Sequence, residues 1–171
     1  MTTLQSGTEG WHELRFGALS VAQLYALLQF RQSVFVVEQN CPYLDADGLD
    51  QAATHIWLEE NGKLVAYQRC LPPGTPYGES SIGRIIVDPA QRGRNLGRAL
   101  VQRGIDFNLQ QWPGEAIRIG AQAHLQPFYA SLGFVPCGPI YDEDGIDHIH
   151  MLLTPGEDRA GMVSGPSGAA T

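Results

Sequence analysis

The sequence predicts an α/β domain of the α+β kind, and three observations carry that reading. Two alternating runs, "THIWLEE" and "KLVAYQRCL", flank Asn61-Gly62, the strongest short-range hairpin signal. A third alternating run, "SIGRIIVD", passes through an arginine-rich turn into "GRALVQRGIDFNLQQW", whose Leu100, Val101, Ile105 and Leu109 recur at helical spacing. An earlier stretch, Leu24 to Phe35, has the same helical period, so helices and strands interleave along one chain.

The 171 residues, 43% of them hydrophobic, suit one domain with its own core rather than two. That domain is placed at residues 1–153. The remainder, 154–171, is rich in Gly, Pro, Ser and Ala and reads as a disordered tail. A formal net charge of −7 argues against nucleic-acid or anionic-membrane binding, which need a broad basic surface. No apolar run approaches the roughly 18 residues of a membrane span. Cys41, Cys70 and Cys137 lie far apart without C-x-x-C spacing, and "MTTLQSGTEG" has no leader character, so a reduced, cytoplasmic protein is expected.

Ser20 stands where a helix N-cap belongs, ahead of Leu24, Leu27, Leu28, Val34 and Phe35 on one stripe. Arg31 falls inside that stripe, so its guanidinium snorkels to water, joins a structural ion pair or meets a substrate in a cleft. The segment "VEQNCPYLDADGLDQAATH" is polar, turn-rich and long, which marks a binding-loop candidate. Its Asp45, Asp47 and Asp50 do not form an EF-hand, which places glycine sixth and glutamate twelfth, whereas Gly48 is fourth from Asp45. They read as solvated surface or as a loop that receives a cationic substrate, and no metal is expected.

In the hairpin, His55, Trp57 and Glu59 share one face of the first strand, and Val65, Tyr67, Arg69 and Leu71 one face of the second. Pro72, Pro73, Gly74 and Pro76 turn the chain into the third strand. There Ser81, Gly83, Ile85 and Val87 point one way and Ile82, Arg84 and Ile86 the other. Arg69 and Arg84 read first as ion-pair members and second as carboxylate binders.

Within "VDPAQRGRNLGRAL" the residues Arg92, Arg94 and Arg98 surround the start of a helix in an otherwise acidic chain. Positive side chains there oppose the helix dipole unless an anion compensates, and free helix amides would help to hold that anion. A P-loop needs G-K-S/T, and Lys63 is the only lysine. A dinucleotide fingerprint needs G-x-G-x-x-G, and Gly93 and Gly97 have no third glycine in place.

The segment resembles the pyrophosphate loop of GNAT acetyltransferases, R/Q-x-x-G-x-G/A between a strand and a helix. Arg92 takes the leading position, Asn95 the middle glycine and Gly97 the last. Asparagine is the non-glycine residue that best tolerates a left-handed backbone, so Asn95 is expected in such a conformation. Downstream, "FYASLGF" resembles the F/L-Y-x-x-x-G-F segment of the same superfamily and puts Tyr129 where many members carry the general acid. The bland alternative is a packing tyrosine beside Leu125 and Phe128. "RQSVFVVEQNCPYLDADGLD", "AQAHLQPFYASLGF" and "DEDGIDHIHM" together look like the ElaA branch. Arginine followed by Val-Phe is also similar to acyl-homoserine lactone synthases.

The resemblance implies the GNAT acyl-CoA N-acyltransferase fold: a mixed, mostly antiparallel sheet of about six to seven strands, a splayed central parallel pair and about four helices. It implies acetyl-CoA as cosubstrate, its pantetheine along Ile85, Ile86 and Val87. The pyrophosphate would lie on Arg92, Gly93, Arg94, Asn95, Leu96, Gly97 and Arg98, and Gln122 and Phe128 would contact the remaining arm. The acceptor would be an amine of a small molecule or peptide, with Arg31, Phe35, Asp47, Arg69, Arg84 and His148 on its side of the site. Glu38, His55 and the acids of the 45–50 loop are unranked candidates for the base that deprotonates the amine. His148 and His150 share a strand face, and cleft lining or packing outweighs metal binding there. The rival readings are a degenerate acyl-CoA sensor and a transferase using another acyl donor, in the manner of the lactone synthases. Homodimers are common in the resembling family, and no segment here specifies one.

Overall fold

Asn61 and Gly62 both take positive φ, 52° and 67°, and join Thr54–Glu60 to Lys63–Leu71 in a two-residue hairpin, as the sequence signals. The computed structural model describes residues 10–156, so 157–171 of the expected tail lies outside the described residues. Among the described residues the order is β1 (Gly10–Arg15), α1 (Val21–Gln32), β2 (Thr54–Glu60), β3 (Lys63–Leu71), β4 (Ser80–Val87), α2 (Leu96–Gln111), β5 (Ile117–Gln122), α3 (Gln126–Ala130), β6 (Val135–Pro136), β7 (Tyr141–Glu143) and β8 (Ile146–Leu153). They form one sheet ordered β1-β2-β3-β4-β5-β8-β6, with β7 also on β8. Every pairing is antiparallel except β4 with β5.

Eight strands exceed the six to seven implied by resemblance, and three α-helices fall short of about four. β6 and β7, two and three residues long, are too short to show a period. β1 precedes the first helical stripe, in a stretch to which the sequence reading assigns no element.

Ser20 caps α1 as expected. Its hydroxyl accepts from the Gln23 amide at 3.1 Å, and the Gln23 side chain accepts from the Ser20 amide at 2.9 Å. The helix then widens into a π-helical stretch, Ser33–Glu38. α1 and the π-helical stretch bury Leu27 and Val34, respectively, against Trp57, Tyr67 and Ile86 on one face of the sheet. On the other face α2 buries Val101 and Ile105 among Ile82, Ile117, Ile119 and Met151. Each such side chain contributes about 1.5–3 kcal/mol by leaving water.

β4 departs from strict alternation. Ile82 and Ile86 were expected to face the same way, yet Ile82 belongs to the α2-side core and Ile86 to the α1-side core. The cause is a bulge: Arg69 pairs with Gly83 and Tyr67 with Ile86, so Gln68 faces both Arg84 and Ile85. Arg84 supplies the left-handed residue at φ 52°. The extra residue reverses the side-chain phase and bends the strand.

The parallel pair meets over two positions, Ser80 with Ile117 and Ser81 with Arg118, and then parts. Asn108 of α2 stitches the closed end. Its Nδ2 donates to Ser80 Oγ at 3.1 Å and to the Ser81 carbonyl at 3.2 Å, while Ser80 Oγ donates to the Ala116 carbonyl at 3.1 Å. Beyond these positions the β4 edge from Gly83 to Val87 has no partner on β5.

Candidate active site

Where β4 and β5 part, a cleft of about 970 Å³ opens through the middle of the sheet. The turn from Arg92 to Arg98 forms one end, Phe128 and Tyr129 one wall, and Phe35, Tyr43, Tyr77, Glu143 and His148 the other end. Of the residues expected on the cofactor side, all line the cleft except Arg94.

Asn95 sits at φ 62°, ψ 20°, the left-handed conformation expected of it, immediately before α2. Its side chain makes no capping hydrogen bond, so the first amides of α2 are left without a cap. Gly97 packs close by: a Cβ there would lie 3.8 Å from the Phe128 ring and 4.0 Å from Val87.

The arginines are not waiting unpaired. Arg92 donates to both oxygens of Glu38 at 2.7 and 3.1 Å, and Arg94 to both oxygens of Glu60 at 2.8 and 3.1 Å. Arg98 donates to Ser131 Oγ at 2.6 Å. Much of the compensating charge that the sequence seemed to lack therefore comes from distant segments. These pairs are substantially exposed and so are weak and exchangeable.

Tyr129 is buried on the cleft wall, edge-on to Phe128 and Phe134. Among the described residues its hydroxyl has no hydrogen-bond partner, and burial pushes its pKa up to about 12. The phenol is thus protonated throughout the neutral range.

Beneath the end lined by Phe35 and Tyr43 lies a network of three arginines and three aspartates. Arg31 donates through Nε to Asp45 at 2.9 Å and through Nη1 to Asp50 at 2.6 Å. Arg69 engages Asp47 and, at 2.9 Å, Asp50; Arg84 reaches Asp45 at 2.8 Å and Asp47 at 3.3 Å. The Arg84 guanidinium also lies 5.8 Å from the Phe35 ring centre and 5.7 Å from that of Tyr43. The network closes the 41–53 loop onto α1, β3 and β4 with its charges balanced.

This settles the alternatives for Arg31. It is 1% exposed, held as a structural ion pair, and outside the cleft lining. Asp47 likewise faces Arg69 and Arg84 rather than the cleft, so the acidic-loop reading gives way to internal neutralisation. Arg69 and Arg84 do line the cleft, with their carboxylate partners already in place.

His55 is also sealed away, 1% exposed and outside the lining. Its Nε2 donates to the Asp50 carbonyl at 3.1 Å, and its Nδ1 accepts from the Tyr67 hydroxyl at 2.7 Å. Burial leads in lowering its pKa, so the ring is neutral with both nitrogens in use. Glu38 lines the cleft but is held by Arg92. His148 lines it too, its Nδ1 2.8 Å from the Ile146 carbonyl and its Nε2 3.6 Å from Glu143. His150, the other member of the expected pair, stacks on Tyr141 at 4.8 Å instead.

Tyr43, Tyr77 and Glu143 are lining residues that the sequence did not single out. They come from a loop, a turn and a very short strand, where no period marks a face. Among the described residues no three His, Cys, Asp or Glu side chains are grouped to hold a metal ion, and no helix is long and apolar enough to cross a membrane.

A family model for the acetyltransferase (GNAT) domain matches residues 30–155. Protein ElaA of Escherichia coli strain K12 is 48% identical over 143 residues, 82% of this chain and 94% of its own. The crystal structure of E. coli ElaA superposes with a TM-score of 0.79 at 47% identity, over 84% of this chain and 97% of that one. An acyl-CoA N-acyltransferase from Pseudomonas aeruginosa gives 0.82 at 40% identity, over 86% of this chain and 100% of that one. The CoA-dependent acyl-homoserine lactone synthase BjaI shares the fold, with a TM-score of 0.72 at 18% identity over 92% of each chain.

Proposed function

We propose that this chain, which belongs to the GNAT acetyltransferase family and to its ElaA-like branch, transfers an acetyl group from acetyl-CoA to an amine of a small molecule or peptide. One observation carries the reading: an interior strand edge, Gly83 to Val87, opens into a cleft that also receives the uncapped amides of α2 and the Tyr129 phenol. Pantetheine is an extended, amide-bearing chain and would pair with that edge as an added strand. The pyrophosphate would take the amides of Leu96, Gly97 and Arg98, with Arg92 and Arg94 exchanging or sharing their carboxylates.

The amine nitrogen attacks the thioester carbonyl carbon, and a β4 amide near Val87 faces the oxyanion that forms. The C–S bond then breaks. Tyr129 donates to the departing sulfur, a proton leaves the attacking nitrogen, and the products are an amide and free thiol. At a pKa near 12 the phenol keeps its proton in the ground state and stabilises sulfur only as charge develops there.

Charge at the acceptor end favours a cationic amine. Arg31, Arg69 and Arg84 are matched by Asp45, Asp47 and Asp50, so they bring no surplus charge to an acceptor carboxylate. Glu143 and Asp144 add negative charge to the cleft wall.

A thermal-shift measurement with acetyl-CoA, followed by thiol-release assays over primary amines, tests the reading. Stabilisation plus thiol release with a cationic amine is the expected outcome. Stabilisation without release from any amine makes the protein an acyl-CoA sensor, and stabilisation only by other acyl-CoAs refutes acetyl as the donor group.

A further inference from the structure

Transfer from a thioester requires that an amine, cationic at neutral pH, lose a proton near the bond-forming carbon, so some group in the cleft must accept it. Six other candidates are less well placed. His55 has both ring nitrogens engaged and lies outside the cleft. Asp45, Asp47 and Asp50 are bound to buried or half-buried guanidinium groups. Glu38 meets Arg92 at the end of the cleft formed by the Arg92–Arg98 turn, opposite the end that holds His148. His124 lines the cleft beside Gln122, Leu125 and Phe128, on the cofactor side, and is exposed on the turn that leads into α3.

We infer that His148 is the general base of the transfer, accepting the amine proton at Nε2. The inference rests on the transferase reading above. A carbonyl oxygen only accepts hydrogen bonds, so the contact of Nδ1 with the Ile146 carbonyl at 2.8 Å places the ring hydrogen on Nδ1. In the neutral ring the lone pair is then on Nε2. The ring is part-buried, on the cleft wall. His148 pairs in register with Gln122 at the end of β5, where the parallel strands have already separated. Extending the Ser80–Ile117 register along both strands, with the extra β4 residue of the bulge allowed for, sets Gln122, and hence His148, level with Ile86 on the open edge of β4.

The surroundings suit a ring that gains a positive charge. Glu143 Oε2 lies 3.6 Å from Nε2, close enough to attract both the incoming ammonium and the imidazolium that forms. Tyr141 of β7 is the other titratable group against the ring, at 5.9 Å between centroids. Burial, with Glu143 next, pushes its pKa up to about 12, so it stays neutral around neutral pH. On β5 the register partner is Gln122, which does not titrate. The proton passes from amine nitrogen to Nε2 as the N–C bond forms, and from there to water once the amide has left.

The test uses the full chain, acetyl-CoA and a panel of primary amines headed by putrescine and spermidine, with His148→Gln and His148→Asn as variants. Wild-type kcat/KM should rise with pH along an acidic limb. In both variants kcat/KM should fall by about 100-fold or more near neutrality. The limb should flatten, and the deficit should shrink as pH rises and the amine arrives already deprotonated. Acetyl-CoA affinity should be unchanged, which shows that the variants are folded. If the variants bind acetyl-CoA and keep the wild-type rate and limb, His148 is not the base. An equal fall at every pH makes it a positioning residue and likewise overturns the proposal. Thiol release by wild type with none of the amines overturns the transferase reading, and this role with it.

Discussion

Arg31 and Arg69 share one carboxylate oxygen: Asp50 Oδ1 lies 2.6 Å from Nη1 of the first and 2.9 Å from Nη1 of the second. Both guanidinium groups are buried, so losing that oxygen's charge strands two cations at once. Asp50→Asn should cost about 3–5 kcal/mol in urea denaturation. A cost under about 1 kcal/mol would show that water or another acid replaces it.

The same network fixes the acid limit of stability. Burial works to raise the Asp47 pKa, but the Arg69 hydrogen bond and charge outweigh it and hold the group at about 2, against an ordinary 3.8. Asp50 is likewise lowered, burial opposing and Arg31 and Arg69 prevailing. A depressed carboxyl stabilises the fold fully above its unfolded value and loses that contribution as pH falls through its folded one. Unfolding free energy should therefore drop steeply from about pH 4 toward pH 2. Asp47→Asn should flatten that drop.

Removing one hydroxyl should separate catalysis from binding. Tyr129→Phe is expected to lower kcat by about 100-fold, with acetyl-CoA affinity within about two-fold of wild type, measured by thiol release and calorimetry. Unchanged kcat would return Tyr129 to a packing role beside Phe128 and Phe134.

Asn95 is held in the left-handed region by the turn it occupies. Asn95→Gly should keep both stability and acetyl-CoA affinity, since glycine adopts that conformation freely. Asn95→Ala should cost roughly 1 kcal/mol and weaken acetyl-CoA binding by misplacing the first amides of α2. Equal behaviour of the two variants in both assays would detach the backbone conformation from ligand binding.

Glu38 competes with any anion for Arg92. Exposed pairs of this kind are worth about 0–1 kcal/mol, so Glu38→Gln should tighten acetyl-CoA binding by at most about five-fold, most clearly at low salt. Weaker binding would mean that the carboxylate orients Arg92 toward the ligand instead of withholding it.

Short-range chemistry was readable from the residues. The Asn61-Gly62 hairpin, the Ser20 cap and the left-handed Asn95 each depend on a few neighbours, and each is found as read. The GNAT fold was legible through motifs at Arg92 to Gly97 and Phe128 to Phe134. What escaped was set by partners distant in sequence: Asp45 meets Arg84 across 39 positions, and Glu38 meets Arg92 across 54. The bulge at Arg84 escaped as well, because the run "SIGRIIVD" alternates as well with it as without it. His55 looked reactive by type, and only its burial and two hydrogen bonds remove it from the chemistry.

A row of unpaired strand amides and carbonyls is ordinarily a hazard, since a foreign strand can add to it and seed aggregation. In this fold the exposed row runs through the interior of the sheet, flanked by β5 and sewn shut at one end through Asn108. A neighbouring protein's strand has no side-on approach. A slender, unbranched chain fits between the parting strands more readily than the edge of a folded sheet, so the slot favours visitors by cross-section before any side chain reads their chemistry.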